Sequence, residues 1–234
     1  MTKGDQQPRG RRARGESTPP RARPLQLTCP VCDSGFTTQV FAATGCAGQD
    51  TDFRPRFPEG DPLPHLVHVC PECGYGAMRD GFDEVEPVVR EWVLAQGLGA
   101  QTPCGGAERW LRAAACRSVA LAHTPDELGQ LYARAAWCAR AQGERELERR
   151  CQRDAVLAFE RALAEGYVGE DDQQMILYLV GELYRRLGLF PLARVMLERA
   201  GQVAGVGKYG DALSRLVERQ LRAAEERCSD NMQI

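Results

Sequence analysis

Cys29-Pro30-Val31-Cys32 and Cys70-Pro71-Glu72-Cys73-Gly74, separated by 37 residues, are the stretches that decide the fold. Each is entered from an apolar run, Leu25 and Leu27 before the first and Leu66-Val67-His68-Val69 before the second. A Cys-x-x-Cys turn presents both sulfurs to one side, and a second turn opposite it completes a tetrahedral four-thiolate shell. The expectation is a zinc ribbon with one structural zinc ion on Cys29, Cys32, Cys70 and Cys73. The residue after each second cysteine favours positive φ, which Gly74 suits and Asp33 tolerates. The gap exceeds the roughly 15–20 residues usual between such pairs, so a long insertion has to be accommodated.

Working outward, Phe36, Val40 and Phe41 predict a strand leaving the first turn. Thr44 to Pro64, rich in Gly, Asp and Pro, reads as a long loop. Within it, Asp50, Asp52 and Arg54 read as turn formers and ion-pairing groups that pin the loop to the ribbon, with ligand binding as the alternative. Residues 66–70 alternate as a strand does, which puts Leu66, His68 and Cys70 on one face. His68 and Cys46 are alternative metal ligands only if a cysteine turn fails; a supporting or merely exposed His68 is the plainer expectation.

Beyond Gly81, apolar residues recur at helical spacing over about 83–96, 107–122, 126–142, 144–165, 172–187, 191–204 and 211–227. Gly143, Gly166 and Gly188 mark helix ends and Pro191 fits a first turn. Gly181, Tyr184, Gly188, Ala193, Leu197 and Ala200 follow the spacing of tetratricopeptide units. Ala136, Ala139 and Gly143 repeat the first helix at an offset of 45, and Ala155, Phe159 and Ala162 the second at 38. The difference predicts a second helix longer by about two turns. Cys116, Cys138, Cys151 and Cys228 fall on apolar stripes, the ordinary place of a free thiol. Cys104, before Gly105-Gly106, is a loop thiol without an evident role.

The fold class read from these patterns is α+β, mostly α: a small N-terminal zinc ribbon followed by a tetratricopeptide-like helical-hairpin domain. The expected parts are a disordered basic arm over 1–24, the ribbon over 25–80, a connecting helix and loop over 81–106, and the helical domain over 107–228. The 234 residues carry a net charge of −2, unevenly placed. The arm is +5 and residues 25–80 are −4. No stretch approaches the roughly 18–20 apolar residues of a membrane span, and the arm lacks the apolar core of an export signal. Ten cysteines in such a chain point to reduced thiols and metal, so the expectation is a cytoplasmic protein.

With both halves in view, the chain resembles an uncharacterised bacterial family, catalogued only as a domain of unknown function, in which a Cys-Pro-x-Cys zinc ribbon precedes tetratricopeptide-like helices. The resemblance rests on Cys29–Cys32 followed by Phe36, on Asp50-Thr51-Asp52-Phe53-Arg54-Pro55, on Cys70–Gly76, and on Leu131-Tyr132 through Ala136-Trp137. It spans roughly residues 25–205 and implies the domain order, but no activity.

Three functions follow as expectations. The leading one is an interaction or adaptor protein, not an enzyme, since stacked helix pairs present a concave face to a protein or peptide partner. The register places Gln130, Ala133, Trp137 and Arg140, then Met175, Tyr178, Glu182 and Arg185, on that inner face. Trp137, Arg140, Tyr178 and Arg185 are the expected contact residues, because aromatic and Arg side chains dominate binding hot spots. Arg140 and Arg185 are expected to be exposed, whereas Trp137 has core packing as an equal alternative. A second reading is a nucleic-acid-associated regulator, through the basic arm only, because the ribbon carries the sign that phosphate repels. The third is a thiol-redox protein using the paired cysteines. Against enzymes generally, there is no phosphate-binding Gly-rich loop, and a closed four-cysteine shell leaves no open catalytic position.

Overall fold

In the computed structural model, which describes residues 22–41, 45–58, 60–99, 105–203 and 210–234, each cysteine turn closes an antiparallel hairpin. β1 (Ala22–Thr28) pairs with β2 (Gly35–Phe41), and β3 (Val67–Val69) pairs with β4 (Gly76–Met78). β1 starts earlier than composition suggests: Ala22, Arg23 and Pro24 face Phe41, Val40 and Gln39. Pairing to β2 overrides the poor strand propensity of these residues, and a two-stranded ribbon has a free edge that tolerates Pro24. The rest of the expected basic arm lies outside the described residues, as does Cys104.

Seven helices follow among the described residues: α1 (Pro87–Gln96), α2 (Gly106–Ser118), α3 (Pro125–Gln142), α4 (Arg145–Ala164), α5 (Glu170–Arg186), α6 (Phe190–Gln202) and α7 (Gly210–Glu225). The class is α+β, mostly α. Their ends follow local chemistry. Pro87 and Pro125 open α1 and α3, where a missing N–H costs nothing. Thr124 and Glu127 form a capping box on α3. Gly143 ends α3 in the left-handed region at φ 76°. α7 stops at Glu225, short of the expected end, and Arg227 turns the chain away at φ 54°. Cys228 is therefore half-buried beyond the helix and not on its stripe, whereas Cys116, Cys138 and Cys151 are buried as expected.

α3 packs on α4, α5 on α6, and α7 against α6 and α5. α4 has 20 residues and α6 has 13, the expected two-turn difference. In both pairs a large side chain sits on a glycine. A Cβ on Gly181 would lie 2.7 Å from Leu197, and one on Gly129 would lie 2.6 Å from Phe159. Gly129 is two turns earlier than Ala136, the position that matches Gly181 when counted from the loop. The first pair therefore makes this close contact farther from its loop on both arms.

The ribbon does not stand apart from the helices. Cys29, Val31, Cys70, Cys73, Tyr75 and Phe82 share one apolar cluster with Val89 and Val93 of α1, Cys116 of α2 and Ala120 just past its end. Trp110 of α2 is fully buried, and its indole N–H donates to the Leu63 carbonyl at 3.0 Å. Packing therefore runs continuously across residue 80.

Candidate metal centre and helical groove

The two cysteine turns meet face to face. Cys29 Sγ lies 3.6 Å from Cys73 Sγ, and Cys32 Sγ lies 3.6 Å from Cys70 Sγ. All four sulfurs lie within 4.8 Å of one another. A tetrahedron with metal–sulfur bonds of about 2.3 Å has edges of about 3.8 Å, so the cluster has the dimensions of a four-thiolate metal shell. The turns are built alike. The Asp33 amide donates to the Cys29 carbonyl at 2.9 Å and the Gly74 amide to the Cys70 carbonyl at 3.0 Å. The Cys29 amide then donates to Ser34, and the Cys70 amide to Tyr75. Burial pushes the Cys29 thiol up to about 11 and the Cys73 thiol higher still. Burial also works against ionisation of Cys32, but hydrogen bonds from Ser34, Cys70 and Cys73 together outweigh it and bring that thiol down to about 7. A divalent cation reverses this logic, since a coordinating thiol is deprotonated outright.

Asp33 and Gly74 both adopt positive φ, 59° and 76°, yet only the second has to be glycine. Asp33 is exposed and faces Arg90 of α1, whose guanidinium also donates to the Pro30 carbonyl. Gly74 is covered: a Cβ there would lie 2.8 Å from Leu98 Cβ and 3.1 Å from Arg112 Nη1. Gly74→Ala should therefore cost more than about 1 kcal/mol from the backbone alone, with the clash added. Asp33→Gly should be neutral within about 1 kcal/mol. Denaturation midpoints of the two metal-loaded variants check this, and equal losses would contradict it.

His68 is buried, with Nδ1 at 3.2 Å from Thr38 Oγ1 and its ring edge against Phe82. Desolvation first, then the charge of Arg109, holds it below the usual histidine range. Leu66 is not on the buried face with it, because it ends the 3-10 turn Leu63–His65 and is largely exposed. Cys46 is exposed and hydrogen-bonds the Gly48 carbonyl. Neither His68 nor Cys46 belongs to the four-sulfur cluster.

The insertion is not an irregular loop. Residues 47–56 form a hairpin, with Ala47 N–H donating to Arg56, Arg56 N–H to Gly48 and Asp50 N–H to Arg54. Its tip enters the inner face of the helices, where Asp50, Thr51 and Asp52 are almost wholly buried. Phe53 sits at φ 64°, a strained conformation for an aromatic residue, and is held there by its ring against Tyr178 at 5.2 Å. The Tyr178 hydroxyl donates to the Thr51 carbonyl at 2.8 Å, and the Thr51 hydroxyl to Glu182 at 2.6 Å. Arg140 lies 2.9 Å from Asp52 and 3.3 Å from Asp50, while Arg186 bridges Asp52 at 3.2 Å and Glu148 at 2.6 Å. Arg54 pairs with Asp61 at 2.6 Å and ties the tip back toward the ribbon.

This geometry corrects the expected exposure of the groove. Tyr178 and Arg185 are fully buried, and only 13 % of the Arg140 side chain is accessible. They face polypeptide, but it is the chain's own hairpin tip together with residues 228–234. Arg185 pairs with Glu182 at 2.8 Å and donates to the carbonyls of Cys228 and Asp230. Trp137 is half-buried and packs on the apolar cluster that contains Trp110 and Leu131. Burial pushes the carboxyls of Asp52, Glu148 and Glu182 up, against the opposing pull of the neighbouring guanidinium groups.

The family described as an uncharacterized protein conserved in bacteria (DUF2225) matches residues 25–203, from within β1 to just past α6. The chain belongs to that family. No curated protein and no solved structure matches it. The family span takes in all four cysteines, the buried hairpin tip and the helices that receive it, and it stops before α7. Among the described residues no helix is long and apolar enough to cross a membrane. Sequence reasoning missed Arg186 and Asn231 as partners of the tip, and Glu148, which pairs with Arg186 and Arg140 behind it. The available signal was the surplus of charge, Glu182, Arg185 and Arg186, on and beside the face of α5 that turns inward.

Proposed function

We propose that the chain is a zinc-braced bacterial protein of the cytoplasm, not an enzyme, whose tetratricopeptide-like helical pairs bind a protein or peptide partner. The observation that carries the metal assignment is the four-sulfur cluster with 3.6 Å edges, built by two matching turns. Four protein thiolates fill a tetrahedral shell and leave no position for substrate, which is the pattern of a structural ion. The interaction role is supported by the inner face of α3 and α5, which already holds a polypeptide turn through Arg140, Tyr178 and Glu182. A tetrahedral four-sulfur site suits zinc or iron, so the native mass spectrum of the purified chain is the test. One zinc per chain is expected; iron with a visible charge-transfer spectrum, or a metal-free folded chain, would oppose the proposal.

A further inference from the structure

Resting on the interaction reading above, we propose that the groove is a binding site for an extended peptide bearing an asparagine, and that residues 228–234 are its resident, exchangeable occupant. The hairpin tip and this segment are held very differently. The tip is buried, with Asp50, Thr51 and Asp52 each no more than 3 % accessible. Segment 228–234 lies over it, and all its residues are exposed or half-buried, Ile234 at 53 %. It binds as an added strand. The Thr51 amide donates to the Met232 carbonyl and the Ile234 amide to the Gln49 carbonyl, both at 2.9 Å, with Asp50 facing Gln233. Arg185 and Arg219 donate to the carbonyls of Cys228, Asp230 and Gln233. Those contacts are to backbone, so any extended chain can make them.

Selectivity comes from one side chain. Asn231 donates from Nδ2 to Asp50 Oδ2 at 3.0 Å and accepts at Oδ1 from Arg140 at 3.0 Å and Arg186 at 2.7 Å. The orientation of the amide is fixed by this network. A carboxamide both donates and accepts from one planar group. Asp in its place would set a further carboxylate against Asp50, and Lys would face two guanidinium groups. The site therefore selects an asparagine in an extended segment. A tethered occupant competes at an effective concentration in the millimolar range, so the resident segment must be weakened before a free peptide is captured.

The test uses the full chain and a fluorescent peptide, Ser-Asp-Asn-Met-Gln-Ile. Asn231→Ala should bind it at least tenfold more tightly than the wild type does, and the same peptide with Asp in third place should bind at least tenfold more weakly. Equal capture by both chains, equal binding of the Asp peptide, or a tail-exchanged dimer without peptide capture would overturn the proposal. If Asn231→Ala fails to fold, hydrogen exchange in the wild type decides. The Ile234 amide should exchange at least a hundredfold faster than that of Leu183, and comparable protection would overturn exchangeability. Zinc content of the same samples separates the two readings, since lost capture with zinc retained removes the peptide site alone.

Discussion

Cys70→Ser should emerge without metal and with its two cysteine turns unfolded. Structural zinc in small modules contributes roughly 10–16 kcal/mol of apparent binding free energy, comparable to the whole stability of a typical domain, about 5–15 kcal/mol. Serine keeps the shape but cannot supply a thiolate to the shell completed by Cys29, Cys32 and Cys73. The damage should spread to α1 and the end of α2, because Val89, Val93, Cys116 and Ala120 pack in the same cluster as the cysteines. The clusters that join α3 to α7 contain none of the four ligands, so most helical circular dichroism should persist. Full metal occupancy in Cys70→Ser would refute the assignment, and complete loss of helix would refute the separation of the cores. Cys46→Ser, outside the cluster, should keep its metal.

Arg185→Ala should be nearly as harmful. Arg185 and Glu182 are both fully buried, 2.8 Å apart, and removing one partner of a buried pair costs about 3–5 kcal/mol. The loss also strands the Cys228 and Asp230 carbonyls that Arg185 serves. Burial already pushes the Glu182 carboxyl up, opposed by the Arg185 guanidinium and then the Thr51 hydroxyl. Without Arg185 it rises further. A carboxyl raised in the folded state binds protons that the unfolded chain has released, so its contribution is present at low pH and lost as pH rises through the folded value. The deficit of Arg185→Ala, measured by chemical denaturation, should therefore be smaller at pH 5 than at pH 8. Equal deficits would show that Glu182 stays charged. Adding Glu182→Gln should recover part of the loss at pH 8.

The four-cysteine cluster was legible because its information is local. Each turn needs only two cysteines, an intervening proline and a residue that accepts positive φ, and these lie within five positions. The helices were legible because Gly143, Gly166 and Gly188 end them at positive φ and Pro191 fits a first turn, although the expected start of the first helix at about 83 passed over Pro87, where α1 begins. The insertion was not legible. Asp50, Thr51 and Asp52 look like turn residues, and their order is imposed by Arg140, Glu182, Arg186 and Asn231, far away in sequence. The register placed Tyr178 and Arg185 on the inner face, but nothing near them in the sequence says what covers that face. The start of β1 was missed for the same reason, since its order comes from β2.

The buried tip also imposes an order on synthesis. Thr51 bonds to Glu182 across 131 positions, and Asn231 to Asp50 across 181. Chains grow from the N-terminus at about 5–20 residues per second, so the tip leaves the ribosome roughly 7–26 s before its first deep partner on α5 exists. In that interval the cysteine turns can fold and take metal, because all four thiols lie within 45 residues. The carboxylates of Asp50 and Asp52 stay in water until the helices arrive. Loop closure over such distances is slow, so seating of the tip follows folding of the cysteine turns, and the inner face stays open to a competing chain until then.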